Sequence, residues 1–127
     1  MGINAAQILR QAALRWPERI AVIDVGAPGV PRSVTSYAEL DQRARSVAAR
    51  LVRRGVKHGF RVALIAENSD AFVVAWFGIL YAGATVVPIP IASAAPELAH
   101  RLRHARCRAV LFDAARAPLV NSVLAEF

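Results

Sequence analysis

A single cysteine, Cys107, stands among 127 residues. No internal disulfide can staple such a chain, and a lone thiol suits a reducing compartment such as the cytoplasm. Lysine is as scarce. Lys57 is the only one, so all but one of the 16 cationic residues are arginine, against 9 acids and a formal net charge of +7. Glycine and proline number seven each, which excludes collagen-like and low-complexity sequence. With 56% hydrophobic and 20% charged residues and a mean hydropathy of +0.38, the chain is not intrinsically disordered. Met1 to Asn4 open without the basic stretch and apolar run of a secretory signal. The length suffices for one domain with its own core and is too short for a large two-domain enzyme.

Apolar spacing defines the elements. Asn4 and Gln7 suggest a capping-box start, followed by Ile8, Leu9, Ala12, Ala13 and Trp16 at helical spacing, with Pro17 as the stop. Ile20–Asp24 reads as a strand, the Gly26–Pro31 segment as a turn, and Ser33–Thr35 as a returning strand. Ser36-Tyr37-Ala38-Glu39 has the S/T-x-x-E pattern of a helix start. Leu40, Ala44, Val47, Ala48 and Leu51 follow on one face before Gly55. Arg61–Ile65 reads as a buried strand and Asp70–Ala82 as a helix capped by Asn68 or Ser69. Thr85–Val87 is a strand, and a helix opens at Pro96 and runs to about Ala105. Ala109–Phe112 is a strand, and from Pro118 a helix runs on to the end of the sequence. Apolar strands alternating with helices predict an α/β architecture around a mostly parallel, buried sheet, with no internal repeat and no linker.

No charged residue lies between Ala71 and Pro96. Gly83 and the Pro88/Pro90 pair divide that run into a helix and a strand too short to span a bilayer, so no membrane span is expected.

Four side chains, Glu97, His100, His104 and Cys107, fall on one face if a single helix carries them. Each can ligate zinc, but arginines at 101, 103, 106 and 108 oppose a dication, and ligands rising along one straight helix cannot close a tetrahedron. A polar surface face is therefore expected and no metal. There is no G-x-S-x-G elbow, and Cys107 beside His104 is read as a buried thiol rather than a nucleophile. Gly26 and Gly29 fit neither phosphate-binding glycine pattern. Arginines 43, 45, 50, 53 and 54, with Lys57 and Arg61, share a stretch free of acid from Gln42 to Ala66. Arg43, Arg50 and Arg54 lie opposite the apolar stripe. No aromatic interleaves them, so the expectation is a solvated face or one docked on acidic protein, with no nucleic acid.

Four segments in order carry a family resemblance. They are Trp16-Pro17-Glu18-Arg19-Ile20-Ala21-Val22, Thr35-Ser36-Tyr37-Ala38-Glu39-Leu40, Gly55 to Leu64, and Trp76 to Pro88 with its Ala82-Gly83 and Val87-Pro88. Together they resemble the amino-terminal part of the AMP-dependent synthetase and ligase (adenylate-forming) superfamily, nearest to acyl-CoA and fatty-acid–CoA ligases. Ser36 stands in the place of a threonine, Phe60 where an aspartate is usual, and Tyr81 where a lysine is common. By that resemblance Tyr81 leans toward a fatty acyl substrate.

The resemblance implies residues 1–127 as one partial domain of a cytoplasmic enzyme. That enzyme activates a carboxylic acid with ATP and Mg²⁺ and passes it to a thiol such as CoA. The phosphate loop and the C-terminal domain have no counterpart among these residues, so no catalytic, cofactor-binding or metal-binding residue is carried over. The chain alone is expected to bind none of these cofactors and to be inactive. Alternatives are a fatty acyl-AMP ligase or peptide-synthetase adenylation domain, a noncatalytic module docking on a complementary protein chain, and a basic nucleic-acid-binding domain.

Overall fold

The computed structural model describes residues 5–27 and 30–127, so the cap expected at Asn4 and the centre of the turn at Pro28-Gly29 lie outside the described residues. The elements are α1 (Ala5–Arg15), β1 (Ile20–Ala27), β2 (Val30–Ser36), α2 (Tyr37–Arg53), β3 (Arg61–Ile65) and α3 (Asp70–Tyr81). After them come β4 (Thr85–Pro88), α4 (Ala95–His104), β5 (Cys107–Phe112), a single 3-10 turn at Ala114–Arg116 and α5 (Ala117–Leu124).

Strands β3, β4 and β5 form a parallel sheet in the order β4-β3-β5. Leaving β3, the chain moves to one side to form β4, then crosses back to form β5. Right-handed crossovers running in opposite directions place their helices on opposite faces. The core shows this residue by residue. Val62 and Leu64 pack with Leu51 of α2 and Ile79 of α3. Ala63 and Ile65 pack with Leu98 and Leu102 of α4 and Val120 of α5. The two-residue strand period thus sends alternate side chains of β3 into two cores, and all four are buried. Leu9 of α1 joins Leu40, Ala44 and Val74 in a third cluster outside the α2–α3 layer.

The expected α/β fold with a parallel sheet is present, but β1 and β2 are not in it. They pair antiparallel as a separate hairpin. The apolar run Ile20–Asp24 is a partly covered ribbon rather than a buried strand: Ala21 and Val22 rest on the third cluster, while Ile20 and Ile23 are more than half exposed. The final helix also closes early, at Leu124, with the Ala125 amide donating to the Asn121 carbonyl.

Helix starts follow their caps. The Glu39 amide donates to Ser36 Oγ and the Phe72 amide to Ser69 Oγ, each at 3.2 Å, so Ser69 rather than Asn68 caps α3. Some of the helix stops use left-handed backbone. Gly83 follows α3 at φ +78°, and Arg106 follows α4 at φ +54°, a conformation that costs a side chain about 1–2 kcal/mol. Where α2 meets α3, a Cβ built on Gly78 would stand 2.5 Å from Val47 Cγ1. The missing side chain is what lets the two helices approach.

Gly78→Ala should therefore destabilise the protein by about 1–3 kcal/mol in urea unfolding, with part of the loss recovered in Gly78→Ala/Val47→Ala. Arg106→Gly should stabilise it by up to about 1 kcal/mol in the same assay.

Candidate functional site

The residues singled out by zinc-ligand spacing are not on one helix. Helix α4 ends at His104, and Cys107 opens β5 after the left-handed turn at Arg106. His100 and His104 stack on the exposed side of α4, ring centroids 5.7 Å apart, and Glu97 pairs with Arg101. Burial pushes the Cys107 thiol above its usual range, with Arg61 only partly opposing it. The raised value withholds the thiolate that nucleophilic chemistry needs.

Ligands of open α/β sheets enter where neighbouring strands send their helices to opposite faces, at the carboxyl ends of those strands. Here that place lies between β3, which leads to α3, and β5, which leads to α5. An acid follows each strand. The Glu67 amide donates to Asp113 Oδ2 at 3.0 Å, Asp113 Oδ1 accepts from the Arg116 amide at 3.2 Å, and Arg116 reaches Glu67 Oε1 at 3.1 Å. Reading the sequence for known motifs misses Glu67, Asp113 and Arg116. The available signal was an acidic residue within two positions of the ends of β3 and β5.

The neighbouring helix N-terminus is likewise taken by the protein's own carboxylates. The Asp70 amide donates to Asp24 Oδ2, and the Ala71 amide donates to Asp70 Oδ1. Burial opposes ionisation of Asp70, but hydrogen bonds from Arg43 and from the Ala71 amide together hold its carboxyl below the usual range. Neither that end nor any cluster of metal-ligating side chains among the described residues fits a nucleotide phosphate or its cation.

Beside this point a groove of about 1070 Å³ runs between α2, α3 and β5. Its floor includes Leu51, Phe60, Leu64, Phe72 and Leu111, and Arg43, Arg50, Arg54 and Arg108 border it. The arginine face of α2 is thus one wall of a concavity rather than a plain solvated face. Arg43 is held by Asp70 at 3.1 Å, whereas Arg50 and Arg54 form no ion pair among the described residues. Phe60, standing where a carboxylate would be usual, instead carries the Arg108 guanidinium 4.6 Å above its ring.

On the far side of the α2–α3 pair lies a buried carboxylate. Asp41, 2% exposed, accepts from Arg10 at 2.7 Å and Arg45 at 3.1 Å through Oδ2, and from the Tyr81 hydroxyl at 2.6 Å through Oδ1. Tyr81 is thus engaged in tying α3 to α2.

The motifs behind the resemblance meet in space at scaffold joints. The Gly59 amide donates to the Gly83 carbonyl at 2.9 Å and the Thr85 amide to the Phe60 carbonyl at 2.8 Å. The family model for AMP-binding enzymes matches residues 9–126. The chain belongs to the AMP-binding enzyme family. It is 47% identical over 94 residues to the salicyl-AMP ligase / salicyl-S-ArCP synthetase of Mycobacterium tuberculosis, a match covering 73% of this chain and 16% of that protein. To the long-chain-fatty-acid–CoA ligase FadD13 of the same organism it is 32% identical over 123 residues, covering 97% of this chain and 24% of that one. The solved structure of a Mycobacterium tuberculosis fatty acyl CoA synthetase superposes with a TM-score of 0.84 at 31% identity, over 96% of this chain and 24% of its own. The chain spans a quarter or less of these relatives and resembles the N-terminal domain of acyl-CoA and acyl-AMP ligases. No helix among the described residues is long and apolar enough to cross a membrane.

Tyr81→Phe leaves one oxygen of a buried carboxylate without its donor and should cost about 1–3 kcal/mol in urea unfolding at pH 7. Burial, together with the Asp41 carboxylate, raises the Tyr81 hydroxyl above its ordinary value of 10.0. Its contribution is therefore fully present below pH 10 and lost as the pH rises further. The difference between wild type and Tyr81→Phe should shrink on going from pH 9 to pH 11.

Proposed function

We propose that this chain is the scaffold portion of an adenylate-forming acid–thiol ligase, most similar in kind to those that act on fatty acids. In that reaction a carboxylate oxygen bonds to the α-phosphorus of ATP as pyrophosphate leaves, and the acyl group then moves to a thiol such as CoA as AMP leaves. ATP, Mg²⁺ and CoA belong to this reading of the whole enzyme. No residue of this chain is assigned to hold them. The observation that supports the reading is the 96% superposition on a fatty acyl CoA synthetase. Within it, every motif that carries the resemblance is occupied in capping, turning or packing.

A second reading is favoured by one observation. The 47% identity to a salicyl-AMP ligase / salicyl-S-ArCP synthetase supports an aryl acid as the substrate and a carrier protein as the thiol.

ATP–pyrophosphate exchange tests the first reading. The purified 127-residue protein should show no exchange above background with fatty or aryl acids, and exchange by the chain alone would overturn the scaffold assignment. A chimera in which this chain replaces the matching stretch of FadD13 should exchange with long-chain acids. A folded chimera with no exchange, beside an active FadD13 control, would count against the ligase reading.

A further inference from the structure

The histidine pair of α4 outlasts the four-ligand face to which spacing assigned it. His100 and His104 span the final turn of the helix, both exposed, with ring centroids 5.7 Å apart and ring planes 18° from parallel. Helical side chains at i and i+4 lie over the same strip of surface. Four ligands rising along a helix cannot close a tetrahedron, but two that are one turn apart can share an ion. Metal–nitrogen bonds of about 2.0–2.1 Å require the two donor nitrogens to come within about 4 Å of each other. Leaning the ring tips together about the side-chain bonds achieves this, with the backbone already in place.

Arginines at 101, 103, 106 and 108 argue against a dication as long as only the sequence is known. The fold draws three of them aside. Arg101 Nη2 faces Glu97 Oε1 at 3.6 Å, the Arg103 guanidinium lies 4.6 Å over the Phe127 ring, and that of Arg108 lies 4.6 Å over Phe60. Arg106 belongs to the left-handed turn that follows the helix. The backbone meanwhile contributes the negative end of α4, whose last carbonyls favour a cation beside the final turn.

Glu97 is seven residues before His104, about 10 Å along the axis, and stays with Arg101. Cys107 lies beyond the turn, in β5. No third ligating side chain joins the pair among the described residues, so water fills the other positions around an ion held here. Imidazole nitrogen suits Ni²⁺, Cu²⁺ and Zn²⁺, whereas Mg²⁺ and Ca²⁺ take oxygen ligands.

We propose that His100 and His104 form a two-imidazole chelate for a late first-row divalent cation, which clips the final turn of α4. Only the folded helix holds the two rings together, so binding stabilises the protein. The clip adds to a helix whose first turn has no side-chain cap at Ala94. Its place is at the amino end of β5, opposite the end of the sheet where the crevice between β3 and β5 opens, and it does not rest on the ligase reading.

Ni²⁺ alone is the probe, because it leaves the Cys107 thiol unoxidised. Calorimetric titration of the 127-residue protein with nickel chloride at pH 8 should reveal one site. His100→Gln and His104→Gln should each weaken it at least tenfold, while His58→Gln and Cys107→Ser stay within twofold of wild type. His104→Gln/Arg101→His restores the number of histidines but turns the second imidazole about 100° around the helix, and should bind no better than His104→Gln. Paramagnetic Ni²⁺ should broaden the amide resonances from Glu97 to Cys107 and spare those of α2 and α3. At a hundredfold excess over its dissociation constant it should raise the melting temperature by about 5 °C or more in wild type, and by less than 1 °C in His100→Gln/His104→Gln. Both side chains are exposed, so circular dichroism of the metal-free variants should match wild type. Absence of a site below millimolar Ni²⁺, equal binding in wild type and either single variant, recovery in His104→Gln/Arg101→His, or broadening centred elsewhere overturns the chelate. Binding at the pair with no rise in melting temperature overturns the clip.

Discussion

Strand β3 is buried on both faces, and the layered part of the molecule is arranged around that constraint. A five-residue strand with Val62, Ala63, Leu64 and Ile65 all enclosed needs helices above and below. Its two neighbours must then be parallel, since only long crossovers deliver such helices. Reversing direction between β4 and β5 sends α3 to one face and α4 to the other. The open edge at β5, the crevice beyond Ile65 and the groove beside α2 all follow from this choice.

The Asp41 cluster plays a different part. Apolar contact holds α2 and α3 together without fixing their register, whereas a buried carboxylate with donors from α1, α2 and α3 is satisfied in one arrangement only. Burying a charge is costly, and removing a partner is worse than never having the pair. Gly78 works at the same interface by closeness, and the two together place the α2 stripe that borders the groove.

Much of this architecture was legible in the residues. Ser36 and Ser69 announce helix starts because a hydroxyl before an apolar period satisfies free amides, and Gly83 announces a stop because left-handed backbone favours the absence of a Cβ. The stop at Arg106 gave no such sign, since the backbone conformation there is imposed by how α4 joins β5. The turn between β1 and β2 was legible, but the exposure of Ile20 and Ile23 was not, because an apolar run looks alike whether it is enclosed or lies on a surface. The zinc-like spacing failed for a related reason: an interval of ten residues means one helix face only if the helix is unbroken. Glu67, Asp113 and Arg116 are far apart in sequence, and only the side-by-side pairing of β3 and β5 brings them together.

By itself the sequence determined the alternation of strands and helices, the caps and stops, and membership of the AMP-binding family. These depend on short-range periodicity and local backbone preference, which a chain carries wherever it folds. Tertiary structure decided which strands share a sheet, that Tyr81 serves a buried aspartate, and that Arg43, Arg50 and Arg54 border an apolar groove. Such facts rest on contacts between residues well separated in the sequence, such as Arg61 with Thr85 and Asp41 with Tyr81. The free energy of those contacts comes from burial and pairing in three dimensions, and no local pattern records it.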